Sequence, residues 1–354
     1  MQFMSQSMGW ADNIILAMAP LGIITIIVSA IRVGGPSWLK ALVGRARENV
    51  AVAEAELMSS TSNEVCELWN GHDVVRCMGS APISEFICLA PRGEGGSNAC
   101  EVKVLSLDDA LDKGYLKKHD SLSEIIIVHN QRDAAPNISL NCHNEIWRGE
   151  LYLAAAFAMA LQSAVLLYSG FVAYRLNFLK EDTSIARYAF PCTAVGMLVL
   201  VSGLLICSHV VESSTEEDRY RPMQGRAARL VWLQQPKTVS DQIFDSHAIF
   251  PRHERSEITT SSRKVKVKVK SSRATRTVLE TKAFLGAIAS LCGFIVQFVG
   301  LRGMHWSVSV AQLGAILTMT AVRALIRRGL AHPPDDKLLA AGFELEWLSL
   351  TLLD

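Results

Sequence analysis

Five blocks of nearly continuous apolar residues interrupt an otherwise mixed chain: Ile14 to Ile31, Leu151 to Tyr174, Tyr188 to Val211, Ala283 to Leu301 and Trp306 to Ile326. A helix needs about 20 such residues to cross the hydrocarbon of a bilayer, so each block is expected to be a transmembrane helix. Between the blocks the pattern changes. From Pro36 to about Met58, Ala, Val and Leu interleave with Arg45, Arg47, Glu48, Glu54 and Glu56 at helical spacing. Alternating runs follow at Glu64 to Trp69 and His72 to Met78 around Asn70-Gly71, a dipeptide that tolerates positive φ and marks a hairpin. Further strands are expected at Ile83 to Leu89, Glu101 to Leu105, Glu124 to Val128 and Arg229 to Leu233. The pattern predicts an α-helical multi-pass membrane protein of about five transmembrane helices. Its α+β portion is assembled from two loop segments, Gly34 to Glu150 and Glu212 to Lys282.

Composition agrees with that reading: half of the 354 residues are apolar, 19% are charged and mean hydropathy is +0.23, against roughly 25% charged in soluble domains. The net charge of +1 conceals an asymmetry. Val33 to Glu150 holds 11 basic and 17 acidic residues, a balance of −6, and Glu212 to Lys282 holds 15 and 9, a balance of +6. Docking of the two segments into one composite domain is therefore expected. Basic residues at the block ends set the side. None occurs from Met1 to Asn13, whereas Arg32, Lys40, Arg45 and Arg47 follow the first block and Lys268, Lys270, Arg273, Arg276 and Lys282 precede the fourth. The opposite ends carry only Arg175, Lys180, Arg187 and Arg302. Basic loops stay cytoplasmic, so residues 1–13 are expected to be a short outside tail. Both large segments and the tail 327–354 are expected in the cytosol. The same contrast argues for an uncleaved anchor over a signal peptide. Trp10, Trp38, Trp147 and Trp306 flank the blocks, where indole rings favour the headgroup layer.

Candidate chemistry is sparse. Gln162, Gln297 and Gln312 are the amides within the blocks and are read as interhelical polar contacts. Gly286 with Ser290, and Ala289 with Gly293, form small faces on the fourth block, a route to close helix packing or to a homo-oligomer. Lys264, Lys266, Lys268 and Lys270 alternate with valines and lead to Arg273 and Arg276. On a strand those lysines share one face, either as a solvated edge that resists self-pairing or as contacts to anionic lipid headgroups. No aromatics interleave, so nucleic acid is a poor fit. Gly93, Gly95 and Gly96 lack the residues of a phosphate loop. His129 with Asp133 is a pair without a third group. Cys66, Cys77, Cys88 and Cys100 recur at spacings of 11, 11 and 12, as small buried residues on successive strands would. No catalytic, cofactor-binding or metal-ligating set emerges, and Asn137-Ile138-Ser139 is a glycosylation sequon only if lumenal.

The phrases GWADNIILAMAPLGIITIIVSAIRVGGP, RARENVAVAEAELMSSTSNEVCELWNG, APNISLNC, FPCTAVG, HVVESSTEEDRYRP and GLRGMHWSVSVAQLGAILTMTAVRA together resemble a family of uncharacterised multi-pass proteins of filamentous ascomycete fungi. Some relatives carry an ankyrin-repeat label, but no 33-residue repeat exists here. The resemblance implies a fungal membrane protein and transfers no catalytic residue or cofactor. Relatives continue beyond GFELEWLSLTLLD, which makes Gly342 to Asp354 resemble the start of a packed segment. The function expected by subtraction is a membrane-anchored scaffold or sensor whose cytosolic domain engages a protein partner. A channel or permease built on the three glutamines is the alternative. A membrane-bound enzyme using His72, His129, His143, His247 or His253 is the third reading.

Overall fold

The computed structural model describes residues 9–18, 22–91, 102–106, 125–130, 135–142, 148–175, 186–222, 226–264, 271–328 and 333–353. In chain order these form helices α1 (Trp10–Met18), α2 (Ile23–Gly34), α3 (Ser37–Leu42) and α4 (Val50–Leu57), then strands β1 (Val65–Trp69), β2 (Val74–Met78), β3 (Ile83–Pro91), β4 (Val102–Ser106) and β5 (Ile125–Asn130). Helices α5 (Ile138–Cys142), α6 (Arg148–Tyr174) and α7 (Ala189–Glu212) come next. Strands β6 (Thr215–Tyr220), β7 (Arg226–Gln234), β8 (Lys237–Val239), β9 (Gln242–Phe244), β10 (His247–Phe250) and β11 (Ile258–Arg263) follow. The chain closes with α8 (Ser271–Gly303), α9 (Trp306–Ile326), β12 (Asp335–Leu338) and α10 (Glu344–Leu353). It divides into a helical unit (1–53, 146–214, 264–328) and a sheet unit (54–145, 215–263, 329–354).

Four helices of the first unit, within α6, α7, α8 and α9, are long and apolar enough to cross a bilayer. Their outward positions are apolar: Leu153, Leu167, Leu198, Ile295, Phe298, Leu313 and Leu317 are all exposed. Among the described residues the first expected span is not one of these four. Ile14 to Ile31 is divided between α1, of 9 residues, and α2, of 12. At 1.5 Å per residue neither covers more than about 18 Å, roughly half of the hydrocarbon thickness. Pro20 cannot donate to the helical ladder, and Gly22 adopts φ +142°, a conformation that a side chain would oppose.

The path of α1 and α2 is defined by what they touch. Asp12, near the start of α1, pairs with Arg327 at 3.2 Å, just beyond the end of α9. Asn13 Nδ2 donates to Glu212, the last residue of α7, at 2.5 Å. Farther along, Met18 packs against the same apolar cluster as Leu161, which lies at the middle of α6. Helix α2 returns: Gly34 lies against Val210 of α7 and Leu279 of α8. Both the entry to α1 and the exit from α2 therefore stand at the end of the helical unit where α7 finishes.

Helices α7 and α8 pack antiparallel in a ladder where one partner is glycine at each of five levels: Thr193 with Gly300, Gly196 with Gln297, Leu200 with Gly293, Gly203 with Ser290 and Cys207 with Gly286. The small-residue face expected on the fourth block is thus covered by α7 of the same chain. Trp10, Trp38 and Trp306 are exposed, while Trp147 lies outside the described residues.

In the sheet unit a six-stranded sheet runs β12-β10-β7-β3-β5-β4. Strand β3, from the acidic segment, pairs antiparallel with β7, from the basic segment, over nine residue pairs from Ile83 opposite Gln234 to Pro91 opposite Arg226. The expected composite domain is held by this ladder and a shared apolar core. Net charge is secondary, since screening confines it to about 8 Å. One face buries Ile87, Leu89, Ile126, Val128, Leu230 and Trp232 beneath the β1–β2 hairpin, α5 and β11. The other buries Phe86, Cys88, Ile127, Leu233 and Ala248 beneath Leu348 and Trp347 of α10. The segment expected as a tail thus supplies an edge strand and a covering helix.

Asn70-Gly71 turns the hairpin, with Gly71 at φ +91° and Asn70 Oδ1 accepting from the amides of His72 and Asp73. Cys66 faces Cys77 across it, and Cys88 lies on β3. All three are free, and Cys100 lies outside the described residues. Burial pushes the Cys66 and Cys88 thiols up to about 11. Slow alkylation of both at pH 8 in the folded chain, against rapid labelling after denaturation, is the expected outcome in a mass-spectrometric time course.

Candidate functional site

Beyond the ion pairs at the helix ends, two groups of polar side chains stand out among the described residues, one in each unit. Within the sheet unit they brace the fold. Asn137 Nδ2 donates to the carbonyls of Ser59 and Ser261, at 3.3 and 3.0 Å, and its Oδ1 accepts from the Ser261 amide at 2.8 Å. Asn141 repeats the arrangement one turn later, bonding both backbone groups of Thr259. Two asparagines thereby satisfy an edge of β11 that has β6 on its other side. Glu67, fully buried, accepts from the amide and hydroxyl of Ser139. Glu85 accepts from the Trp232 indole at 2.9 Å and the Asn130 amide at 2.6 Å. These groups are spent on structure, because a buried polar atom without a partner costs about 1–3 kcal/mol. Asn137→Ala is accordingly expected to destabilise the sheet unit by about that amount, read as a lower melting temperature of the extracted chain.

The histidines do not assemble into a reactive set among the described residues. His72 stands in the β1–β2 turn, His129 stacks on Phe86 at 4.7 Å, His247 lies 2.9 Å from Asp336, and His253 follows β10. His143 and Asp133 lie outside the described residues, as do Gly93, Gly95 and Gly96. Among the described residues no group of three His, Cys, Asp or Glu could hold a metal ion. Of the basic run, Lys264 is exposed and donates to the Ser213 carbonyl at 3.0 Å. Lys266, Lys268 and Lys270 lie outside the described residues, and Arg273 and Arg276 fall in the first turns of α8.

The second polar place is inside the helical unit. Helix α1 ends at Met18, and the last carbonyls of a helix have no partner within it. Gln162 Nε2, from the middle of α6, donates to the Met18 carbonyl, and Gln312 Nε2, from α9, reaches Gln162 Oε1 at 3.4 Å. The carbonyl can only accept, so the relay has one direction and each amide orientation follows from it. Gln297, on α8, joins them at a cavity of about 150 Å³ bounded also by Ala17, Met18, Ile23, Leu200 and Phe294. Its backbone is seated against Gly196, where a Cβ would lie 2.2 Å from its amide nitrogen. The sequence pointed to these three amides, but only tertiary packing brings residues 150 positions apart to one cavity. The helix break that the first of them caps is signalled by Pro20 and Gly22.

Comparison of the chain with family models, with curated proteins and with solved structures finds no match.

Proposed function

We propose that this is an integral membrane protein acting as a membrane-anchored scaffold or sensor, with its sheet unit in the cytosol engaging a protein partner. The nine-pair ladder between β3 and β7 carries the reading. It makes one folded polar domain out of segments that the α6–α7 pair separates in sequence, so the domain is tied to the helical unit by repeated passages of the chain. The four apolar helices and their exposed leucines and phenylalanines support embedding in lipid. The basic flanks support a cytosolic sheet unit, with Lys264, Lys266, Lys268, Lys270, Arg273 and Arg276 as contacts to anionic headgroups.

Cross-linking mass spectrometry of the full chain in native membranes tests this. A partner recovered in fixed stoichiometry, with its links on residues 54–145, 215–263 or 333–353, is the expected result. Flux of a solute through the purified, reconstituted chain with no partner present would overturn it in favour of a channel or permease. That second reading is favoured by the convergence of Gln162, Gln297 and Gln312.

The contacts of α1 and α2 support a second reading of sidedness. With Asp12 and Asn13 beside Arg327 and Glu212, this reading puts the start of α1 on the side where α7 and α9 finish. An epitope before Met1 and another within residues 265–270 are expected to respond together to protease added to sealed vesicles. Protection of one and cleavage of the other would restore the outside terminus. A missing glycan at Asn137 says little about side, because its amide is buried in the folded sheet unit.

A further inference from the structure

The cavity beside the broken first helix has a composition that defines a ligand. Its walls include the apolar side chains already named, and no ionisable group among the described residues lines it. Three amides break the apolar surface. Gln162 is occupied at both ends, by the Met18 carbonyl and by Gln312. Gln312 has donated one hydrogen and keeps its carbonyl oxygen. Gln297, only 7% exposed, makes no hydrogen bond to any described residue. Its amide therefore keeps hydrogen-bonding capacity at the cavity wall.

We propose that this cavity is a binding site for a small neutral alcohol with a compact apolar body. A cavity of about 150 Å³ with mostly apolar walls has room for a molecule the size of benzene. A hydroxyl is the smallest group that answers both free functions, accepting from the Gln297 amide hydrogens and donating to an amide oxygen of Gln297 or Gln312. An ion is disfavoured, since no opposite charge lines the walls to offset its desolvation. The inference goes beyond the scaffold reading and does not depend on which partner the sheet unit binds.

Fluorine NMR of the full chain in phosphatidylcholine nanodiscs tests it, with 4-fluorobenzyl alcohol as the probe and 4-fluorotoluene as its counterpart without the hydroxyl. The expected result is saturable binding of the alcohol above that of protein-free discs, with the toluene bound about fivefold to tenfold more weakly after correction for partition into lipid. Gln297→Leu keeps the side-chain bulk and removes the amide, so the two probes should then bind within about twofold of each other. Val201 also lines the cavity, and Val201→Phe, which fills it, should abolish saturable binding of both. Uptake indistinguishable from empty discs overturns the proposal. So does an alcohol preference that survives in Gln297→Leu, since the hydroxyl would then be read elsewhere. If Val201→Phe fails to fold, the Gln297→Leu comparison decides alone.

Discussion

Gly293→Val is expected to force α7 and α8 apart and to lower the stability of the helical unit by about 3 kcal/mol or more. Overpacking costs about 1–3 kcal/mol where neighbouring side chains can rotate away. Here they cannot: a Cβ at residue 293 would lie 2.3 Å from the Leu200 nitrogen, 2.7 Å from its Cα and 2.9 Å from the Gly196 carbonyl oxygen. All three are helix backbone, so relief requires moving a helix. The consequence spreads, because Gly196, Gly203, Gly286 and Gly300 depend on the same interaxial distance. Gly314→Ala is the control. A Cβ there meets nothing within 4 Å, and replacing glycine within a helix favours the helix by up to about 1 kcal/mol. Thermal unfolding of both variants in one detergent checks the contrast. A Gly293→Val chain that melts with the parent would mean that α7 and α8 are not packed as described.

Arg32→Ala is expected to cost about 3–5 kcal/mol, the range for leaving one member of a buried ion pair alone. Arg32 is 2% exposed and Glu48 4%. The guanidinium approaches the carboxylate through Nε at 3.0 and 3.1 Å and Nη2 at 2.5 Å. Arg45 stands 3.7 Å from the same carboxylate but is half exposed, so it compensates only in part. Arg32→Lys should recover little, because one ammonium does not reproduce the planar two-nitrogen contact. The double variant Arg32→Met with Glu48→Leu should recover most of the loss, since matched apolar replacement of a buried pair is often neutral. Urea midpoints of the four chains, taken together, check the ordering. Equal losses in the single and double variants would show that Arg32 acts through packing alone.

Arg32 also shows how far a linear reading reaches. In the sequence it is the first basic residue after an apolar block and counts toward sidedness. In the structure it is buried against a glutamate sixteen residues on, a partner no local pattern announces. The first block tells the same story. Its length and apolarity satisfied a span, while Pro20 and Gly22 within it were the local sign of a break. Whether such a break kinks a span or reverses it depends on what receives each half. Asp12, Asn13 and Gly34 all meet residues at one end of the helical unit, contacts that no local pattern announces.

What the sequence determined by itself was whatever short-range periodicity controls. Twenty-residue apolar runs make α6 to α9, alternation makes β3, β5 and β7, and Asn70-Gly71 makes the β1–β2 turn. It also marked the small face of α8, because glycine and serine three to four residues apart must share one side of a helix. Tertiary structure decided the partners. Opposite net charge suggested that the two polar segments meet, but the register of β3 on β7 and the addition of β12 and α10 follow from burying apolar faces together. The glutamines were visible one at a time. Their convergence on one cavity arises because a broken helix exposes a carbonyl halfway along the bundle, and the cost of leaving it bare brings Gln162, and behind it Gln312, to that spot.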